Sequence, residues 1–417
     1  MAGAVRARSA EALVFSAATA VALLHALDDA FLLPGPGVPV GQHALAAAIA
    51  VVLSVAAVLA FPRLRPGLRS AIAFTFGALA TVNGGRHAHH ILTESATAND
   101  VTGALALAAG VVLVGLAAYI PFRHRGDGAT GPLRRWAIRA LVVAAGVLSV
   151  PLFFGPVGMA MTDIHSLEKP LGDAPNAAYE TVHFTASDGV ELEGWYRPSR
   201  NGASVLLLSG GGSNRMGPLR HAKMLERHGY GVLVYDPRGS GNSEGTVNSY
   251  GWGWEKDAAA ALDFLAQRDD VEPGRVGALG LSTGADIAID IAARRDDVKA
   301  VVADGSAAIG YEDIKEYADD ALTRQPMWLL FKTIEIIQGR SQPKASLADQ
   351  IARSSAPHLL VSAGKPEKEW GELYDRRGGD RSELWYLPKA GHTAALKQYP
   401  DEYESRVTAF FGEHLGR

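Results

Sequence analysis

Val276-Gly277-Ala278-Leu279-Gly280-Leu281-Ser282-Thr283-Gly284-Ala285 is the stretch that decides the fold. Its first six residues are short, apolar and bounded by turn-forming residues, the signature of a buried strand. Residues 285–295 carry a helical pattern. Between strand and helix stands Gly280-Leu281-Ser282-Thr283-Gly284. A strand that turns into a helix through Gly-x-Ser-x-Gly strains the serine and lifts its hydroxyl to the top of a sheet. The glycines are needed because side chains two positions before and after the serine would collide across the turn. Ser282 is therefore the candidate nucleophile.

Its chemical partner is expected near the C-terminus. Ala390-Gly391-His392 follows the strand-like run Glu383-Leu384-Trp385-Tyr386-Leu387. A histidine on the loop after the last strand can reach a serine on a central strand, take its proton and return it to a leaving group. Strand-like runs at about 180–186, 190–197, 204–209, 231–236, 275–281, 299–303, 358–363 and 383–387 alternate with helical patterns, notably 217–228, 255–267, 285–295 and 394–415. This alternation predicts a mainly parallel sheet with helices on both faces. The first two runs lack an intervening helix and are expected to form a hairpin around Ser187-Asp188-Gly189.

From about residue 180 to its end, roughly three-fifths of its length, the chain resembles an α/β-hydrolase of the serine aminopeptidase and esterase-lipase type. The resemblance implies an eight-stranded, mainly parallel sheet and the chain order nucleophile, acid, histidine. It locates an oxyanion hole at Ser209-Gly210-Gly211-Gly212, after the strand Val205-Leu206-Leu207-Leu208. The family usually has His-Gly-x there, and Ser209 stands in the histidine's place, so the backbone is the expected donor. The amides of Gly211 and Thr283 are the expected pair. The acid is expected after the penultimate strand, where Gly364-Lys365-Pro366-Glu367 fits Gly-x-x-acid. Glu367 is the first choice, Glu369 the second and Asp304, after the run Ala300-Val301-Val302-Ala303, the third. The acid fixes the imidazole tautomer and stabilises the imidazolium. A helical cap is implied over about 306–353, where Met327-Trp328-Leu329-Leu330-Phe331 and Ile334, Ile336 and Ile337 provide either a greasy acyl pocket or ordinary packing. Asp236-Pro237-Arg238-Gly239-Ser240-Gly241 resembles a structural loop after the fourth strand.

The first part of the chain differs in kind. Candidate membrane spans fall at 11–33, 43–62, 70–91, 101–122 and 135–158, each near the roughly 20 apolar residues that cross a bilayer. The expected organisation is an all-α transmembrane domain of about five helices over 1–165 and a hydrolase domain over 166–417. Arg6 and Arg8, then Arg63, Arg65 and Arg69, then Arg123, Arg125, Arg134, Arg135 and Arg139 occupy alternate connections, whereas 35–42 and 94–100 hold no lysine or arginine. With five spans this places the N-terminus inside and the hydrolase outside a cell membrane; with four, the hydrolase is inside. His25 with Asp29, and His87 with His90, share helix faces, which suits either a metal between helices or an interhelical hydrogen-bond cluster.

The net charge of −4 gives no electrostatic case for nucleic acid, and the chain holds no cysteine. No cofactor is expected. The leading expectation is a membrane-anchored serine hydrolase acting on a small-molecule or lipid-like ester, thioester or amide through an acyl-enzyme. The alternatives are acyl transfer to a lipid or sugar acceptor, peptidase action, or a transporter or sensor carrying a hydrolase-derived domain.

Overall fold

The computed structural model describes residues 2–28, 31, 40–93, 98–123, 148, 152–153, 155–164 and 171–416. The chain separates into two compact units. One comprises Met1–Gly35 and Pro39–Met161; the other comprises Pro36–Val38 and Thr162–Arg417.

In the first unit, α1 (Ala2–Leu27), α2 (Val40–Ala60), α3 (Pro66–Thr93) and α4 (Ala98–Arg123) are long helices, followed by the shorter α5 (Gly155–Ile164), whose residues up to Met161 belong to this unit. Two of the described helices are long and apolar enough to cross a membrane, Ser9–Leu27 and Val101–Arg123, where the sequence led us to expect about five. For α3 the reason is physical, and for the other two expected spans it is which residues are described. In α3 the apolar run is diluted by Arg69, Asn83 and His87. The side chains of the second expected span are described only from Ala47, and its apolar stretch there runs over Ala47–Arg63, past the end of α2. Most of the fifth expected span, 135–158, lies outside the described residues.

The helices α3 and α4 approach closely along glycines seven apart. A Cβ on Gly77 would lie 2.8 Å from the Val114 nitrogen, and one on Gly84 would lie 2.4 Å from the Leu107 nitrogen. Across the seam, a Cβ on Gly110 would meet Thr81 Oγ1 at 2.4 Å. Small residues at such a contact let two backbones pack where side chains would separate them. The unit's own core contains Phe15, Phe61, Leu113 and Ile120, with Phe15 and Phe61 stacked at 4.1 Å. Arg69, expected in a basic connection, is instead fully buried and paired with Glu11 of α1 at 2.5 Å. It therefore does not count as a loop cation in any charge-based orientation.

The second unit holds an eight-stranded sheet in the order β1-β2-β4-β3-β5-β6-β7-β8. The strands are β1 (Glu180–Thr185), β2 (Glu191–Arg197), β3 (Ser204–Leu208), β4 (Gly231–Tyr235), β5 (Val276–Leu281), β6 (Val298–Asp304), β7 (His358–Ala363) and β8 (Ser382–Leu387). The first two form the expected antiparallel hairpin, β2 is antiparallel to β4, and the remaining pairs are parallel. Every residue of β3, β4, β5 and β7 is buried, as parallel strands covered on both faces require.

Helices α6 (Leu219–Arg227), α7 (Trp254–Ala266), α8 (Thr283–Arg294), α9 (Tyr311–Tyr317), α10 (Ala321–Gln338), α11 (Leu347–Arg353) and α12 (Gly364–Gly378) separate the strands. The last helical pattern is split into α13 (Ala395–Gln398) and α14 (Pro400–Leu415), because Pro400 cannot donate an amide hydrogen bond and starts a new helix. On one face, Tyr403, Val407 and Phe411 of α14 join Val205, Leu207, Leu279 and Val302 of the central strands. Burying each such side chain favours the fold by about 1.5–3 kcal/mol.

The loop after β4 is built as a strut. Arg238 is fully buried, chelates Asp257 of α7 and also reaches Asp188 at the β1–β2 turn. Asp236 holds the backbone and side chain of Arg215. Polar as it is, this loop spends its charges on its own neighbours.

Candidate active site

At the C-terminal end of β5 the chain turns sharply. Ser282 has φ 54° and ψ −124°, a left-handed conformation that costs an ordinary residue about 1–3 kcal/mol. The flanking glycines explain how the turn closes. A Cβ on Gly280 would sit 2.0 Å from the Gly284 oxygen, and one on Gly284 would sit 2.4 Å from the Leu208 oxygen. The amide of Ser282 donates to the Asp304 carbonyl at 2.8 Å, tying the turn to the end of β6.

His392 lies on the loop after β8, with Nε2 2.9 Å from Ser282 Oγ and Nδ1 2.7 Å from Glu367 Oε1. With Nδ1 protonated toward the carboxylate, Nε2 is left as the acceptor for the serine hydroxyl. The hydrogen bond that Nδ1–H donates to Glu367 is the main reason the imidazole's pKa lies above its ordinary 6.5; burial pulls the other way, and Asp304 adds to the rise.

The structure separates the three candidate acids. Glu367 meets His392. Glu369 accepts from the Tyr317 hydroxyl at 2.5 Å. Asp304 is buried at the end of β6, and no donor meets either of its oxygens in good hydrogen-bonding geometry. Glu367 sits in the first turn of α12. Its second oxygen accepts the Ala363 amide at 2.7 Å, so one carboxylate caps its own helix and faces the imidazole.

The expected oxyanion donors border the same turn. Thr283 is the first residue of α8, where a backbone N–H has no intrahelical acceptor. Its hydroxyl is occupied by the Ser249 carbonyl at 2.7 Å. A Cβ on Gly211 would stand 2.3 Å from that carbonyl and 2.9 Å from Thr283 Oγ1, so only glycine fits. Gly210 comes nearer to the serine, its added Cβ lying 3.2 Å from Ser282 Cβ. Ser249 was not singled out from sequence; it lies in an irregular segment with no pattern of its own.

The stretch expected to form a cap contains α9, α10 and α11. It leans on the segment after β4: Trp252 Nε1 donates to the Ile309 carbonyl at 2.6 Å, and Phe331 packs edge-on against Tyr250 at 5.0 Å. Phe331, Leu330 and Ile334 are therefore packing residues. A shallow cleft beside the cap is polar, lined by Glu316, Tyr317, Asp319, Asp320, Glu369 and Arg376.

For metals, the described residues contain no group of three or more candidate ligands. His25 Nδ1 lies 3.0 Å from Thr102 Oγ1, which donates to Asp28 at 2.7 Å, and the His25 ring stands edge-on to His87 at 4.8 Å. Asp29 and the side chain of His90 lie outside the described residues.

An eight-stranded, mostly parallel sheet with a strained serine after its fifth strand defines the class: this is an α/β-hydrolase. Within that class, residues 177–399, more than half of the chain, match the model of the X-Pro dipeptidyl-peptidase (S15) family. The chain belongs to that family and is a hydrolase. Among its relatives, an uncharacterized protein of Mycobacterium tuberculosis strain H37Rv, Rv2307c, is 35% identical over 232 residues, which cover 53% of this chain and 76% of that protein. The uncharacterized protein YfhR of Escherichia coli K12 is 32% identical over 149 residues, 34% of this chain; the match spans about half of YfhR, 51% of its length. Among solved structures, an esterase of Pyrococcus furiosus is similar, with 22% identity, a TM-score of 0.48, and coverage of 60% of this chain and 97% of that one.

Proposed function

We propose that the protein is a serine hydrolase that cleaves a carboxylic ester, thioester or amide through an acyl-enzyme. Ser282 attacks the carbonyl carbon while His392 Nε2 takes its proton. The amides of Gly211 and Thr283 hold the oxyanion of the tetrahedral intermediate. His392 then protonates the leaving group, and water, deprotonated by the same imidazole, releases the acid. Glu367 keeps the imidazole in the required tautomer and stabilises its charged form. The observation that carries this reading is the continuous line from Ser282 Oγ to His392 at 2.9 Å and from His392 to Glu367 at 2.7 Å, with the serine in a strained turn. The test is turnover of p-nitrophenyl esters by the full-length protein, with His392→Ala expected to abolish it. Equal rates in the two proteins would refute the reading.

A second reading, release of dipeptides from a peptide amino terminus, is favoured by the family match and by the acidic cleft of Glu316, Asp319, Asp320 and Glu369, which suits a cationic amine. Aminoacyl-prolyl amides cleaved faster than esters of matched leaving group would favour it. Acyl transfer shares every step up to the acyl-enzyme and replaces water with an alcohol acceptor.

The first unit serves as the membrane anchor in this reading. Large apolar side chains stand on its outside, among them Leu13, Val52, Leu59, Val111 and Phe122, a surface suited to lipid and ill suited to water. The proposed orientation has a cytoplasmic N-terminus and the hydrolase unit outside the cell membrane, which requires an odd number of crossings. The chain lacks cysteine, so Asp269→Cys supplies a single reporter on the exposed surface of the hydrolase unit. Labelling of intact cells by an impermeant maleimide is expected; labelling only after lysis would reverse the orientation.

A further inference from the structure

Asp304 is a carboxylate that the triad does not use. As the last residue of β6 it pairs with Leu281 of β5 on one side and Val361 of β7 on the other, so it sits between the nucleophile's strand and the strand that leads to Glu367. Its carbonyl receives the Ser282 amide. The next residue, Gly305, touches the catalytic imidazole: a Cβ there would lie 2.9 Å from His392 Cε1 and 3.1 Å from Nδ1. The Asp304 side chain is 1% exposed, and no donor meets either oxygen in good hydrogen-bonding geometry, though the Tyr403 hydroxyl lies near enough to favour the anion. A buried carboxyl without a well-formed hydrogen bond is costly, and a site that needed only one acid has no structural use for it.

We propose that Asp304 is a second carboxyl acting on His392, a positioning residue whose charge adds to that of Glu367 when the imidazole takes the serine proton. This rests on the Ser282–His392–Glu367 reading. The neighbouring titratable groups set when that charge is present. Burial pushes the Asp304 carboxyl up to about 7; the Tyr403 hydroxyl from α14 opposes that rise, Glu367 from α12 adds to it, and His392 opposes it. Behind Tyr403, the His221 ring of α6 stands edge-on at 5.4 Å. Burial drives that imidazole down to about 4, so it is neutral where the enzyme is assayed. On either side along the sheet, the paired residues Leu281 and Val361 are apolar.

Asp304 and His392 each shift the other's proton affinity and behave as a coupled pair. Below neutrality Asp304 is neutral and Glu367 acts alone. Above it Asp304 is charged, raises the basicity of His392 and favours the imidazolium formed during attack.

The experiment is the pH profile of kcat/KM for a p-nitrophenyl ester, measured on full-length wild type, Asp304→Asn, Tyr403→Phe and Ser282→Ala. Asparagine mimics the neutral carboxyl in shape. Asp304→Asn is expected to move the acid limb about half a unit or more to lower pH, make it a simple one-proton limb, and lower the alkaline plateau about 10-fold. Tyr403→Phe removes a group that favours the anion, so it is expected to shift the limb in the same direction by less. It also carries the test if Asp304→Asn does not fold. A residue that merely supports the fold would lower the plateau without moving the limb. Folded variants whose acid limbs coincide with wild type, with Ser282→Ala inactive, would overturn the role of Asp304 alone. Turnover that survives in Ser282→Ala would overturn the triad reading and this inference with it.

Discussion

The two units of this chain handle buried charge in opposite ways. Among the described residues of the helical unit, polar contacts inside the packing include Glu11 with Arg69, Ser70 with the Ala117 carbonyl, and His25 with Thr102 and Asp28. Its exterior carries the apolar side chains. In the hydrolase unit the strands are apolar and the charges gather at the loops beyond them. There Arg238 joins Asp257 and Asp188, Arg215 joins Asp236 and Glu193, and Glu367 joins His392. One unit is built to present apolar surface. The other spends charge on fixing loops, and at one loop on holding an imidazole. On the proposed division, with one unit as the anchor and the other as the catalyst, the protein should respond to mutation in the same divided way.

The largest effect is expected at the imidazole. His392→Ala should lower kcat/KM by about 10⁴-fold or more, and Glu367→Gln by about 10²–10⁴-fold, with the loss in kcat. Glu369→Gln, whose partner is Tyr317, should change the rate by no more than about threefold. Steady-state kinetics on the three variants would sharpen the contrast between carboxylates two residues apart, and equal losses at 367 and 369 would break it.

Next in size is the strut after β4. Asp257→Ala leaves the fully buried Arg238 without its bidentate partner, which should destabilise the hydrolase unit by about 3–5 kcal/mol. Urea unfolding would measure it. A loss below about 1 kcal/mol would mean that Asp188 alone suffices.

A smaller effect follows pH. The folded-state pKa of Asp304 lies above the ordinary 3.8 of the unfolded chain, so the folded protein binds that proton more tightly. Its penalty is absent below about pH 4, grows as the pH rises toward 7, and is constant above, reaching at most about 4 kcal/mol. Asp304→Asn should therefore be more stable than wild type at pH 8 and nearly equal to it at pH 4. Melting curves at the two pH values are the check, and an equal difference at both would contradict the buried-carboxyl account.

The smallest effect on chemistry is expected in the helical unit. Glu11→Gln weakens the pair with Arg69 and should leave ester turnover by detergent-solubilised protein within about twofold. A large loss of turnover would show that the two units do not divide their work as the comparison holds.

How much of this was legible before the structure depended on the kind of constraint. The elbow could be read because Gly280 and Gly284 leave no space for a Cβ, and a steric demand that strict is written directly in residue type. The strands of the sheet appeared within a residue or two of their places, since an apolar run of five to seven residues has few alternatives. Glu367 was nameable from Gly364-x-x-acid, but its place in a helix was not, because Lys365-Pro366-Glu367-Lys368 carries no apolar periodicity. Ser249 and Tyr403 were invisible. The first holds Thr283 through a backbone carbonyl, which any residue possesses, and the second lies on an amphipathic helix whose pattern is satisfied by packing alone. In the helical unit the apolar runs were plain, yet Arg69 read as a loop cation because its partner Glu11 is 58 residues away. The glycine seam of α3 and α4 was equally hidden, since its spacing has meaning only once two helices face each other.

The most direct measurement is labelling of the full-length protein with a fluorophosphonate, beside Ser282→Ala, with the modified residue mapped by mass spectrometry. Such a probe reacts with a serine whose hydroxyl is activated by a neighbouring base and whose oxyanion is stabilised. The account predicts a single adduct on Ser282 that is absent from the alanine variant. Folded wild-type protein that takes up no label, or takes it up at another serine with Ser282→Ala labelled equally, would contradict it.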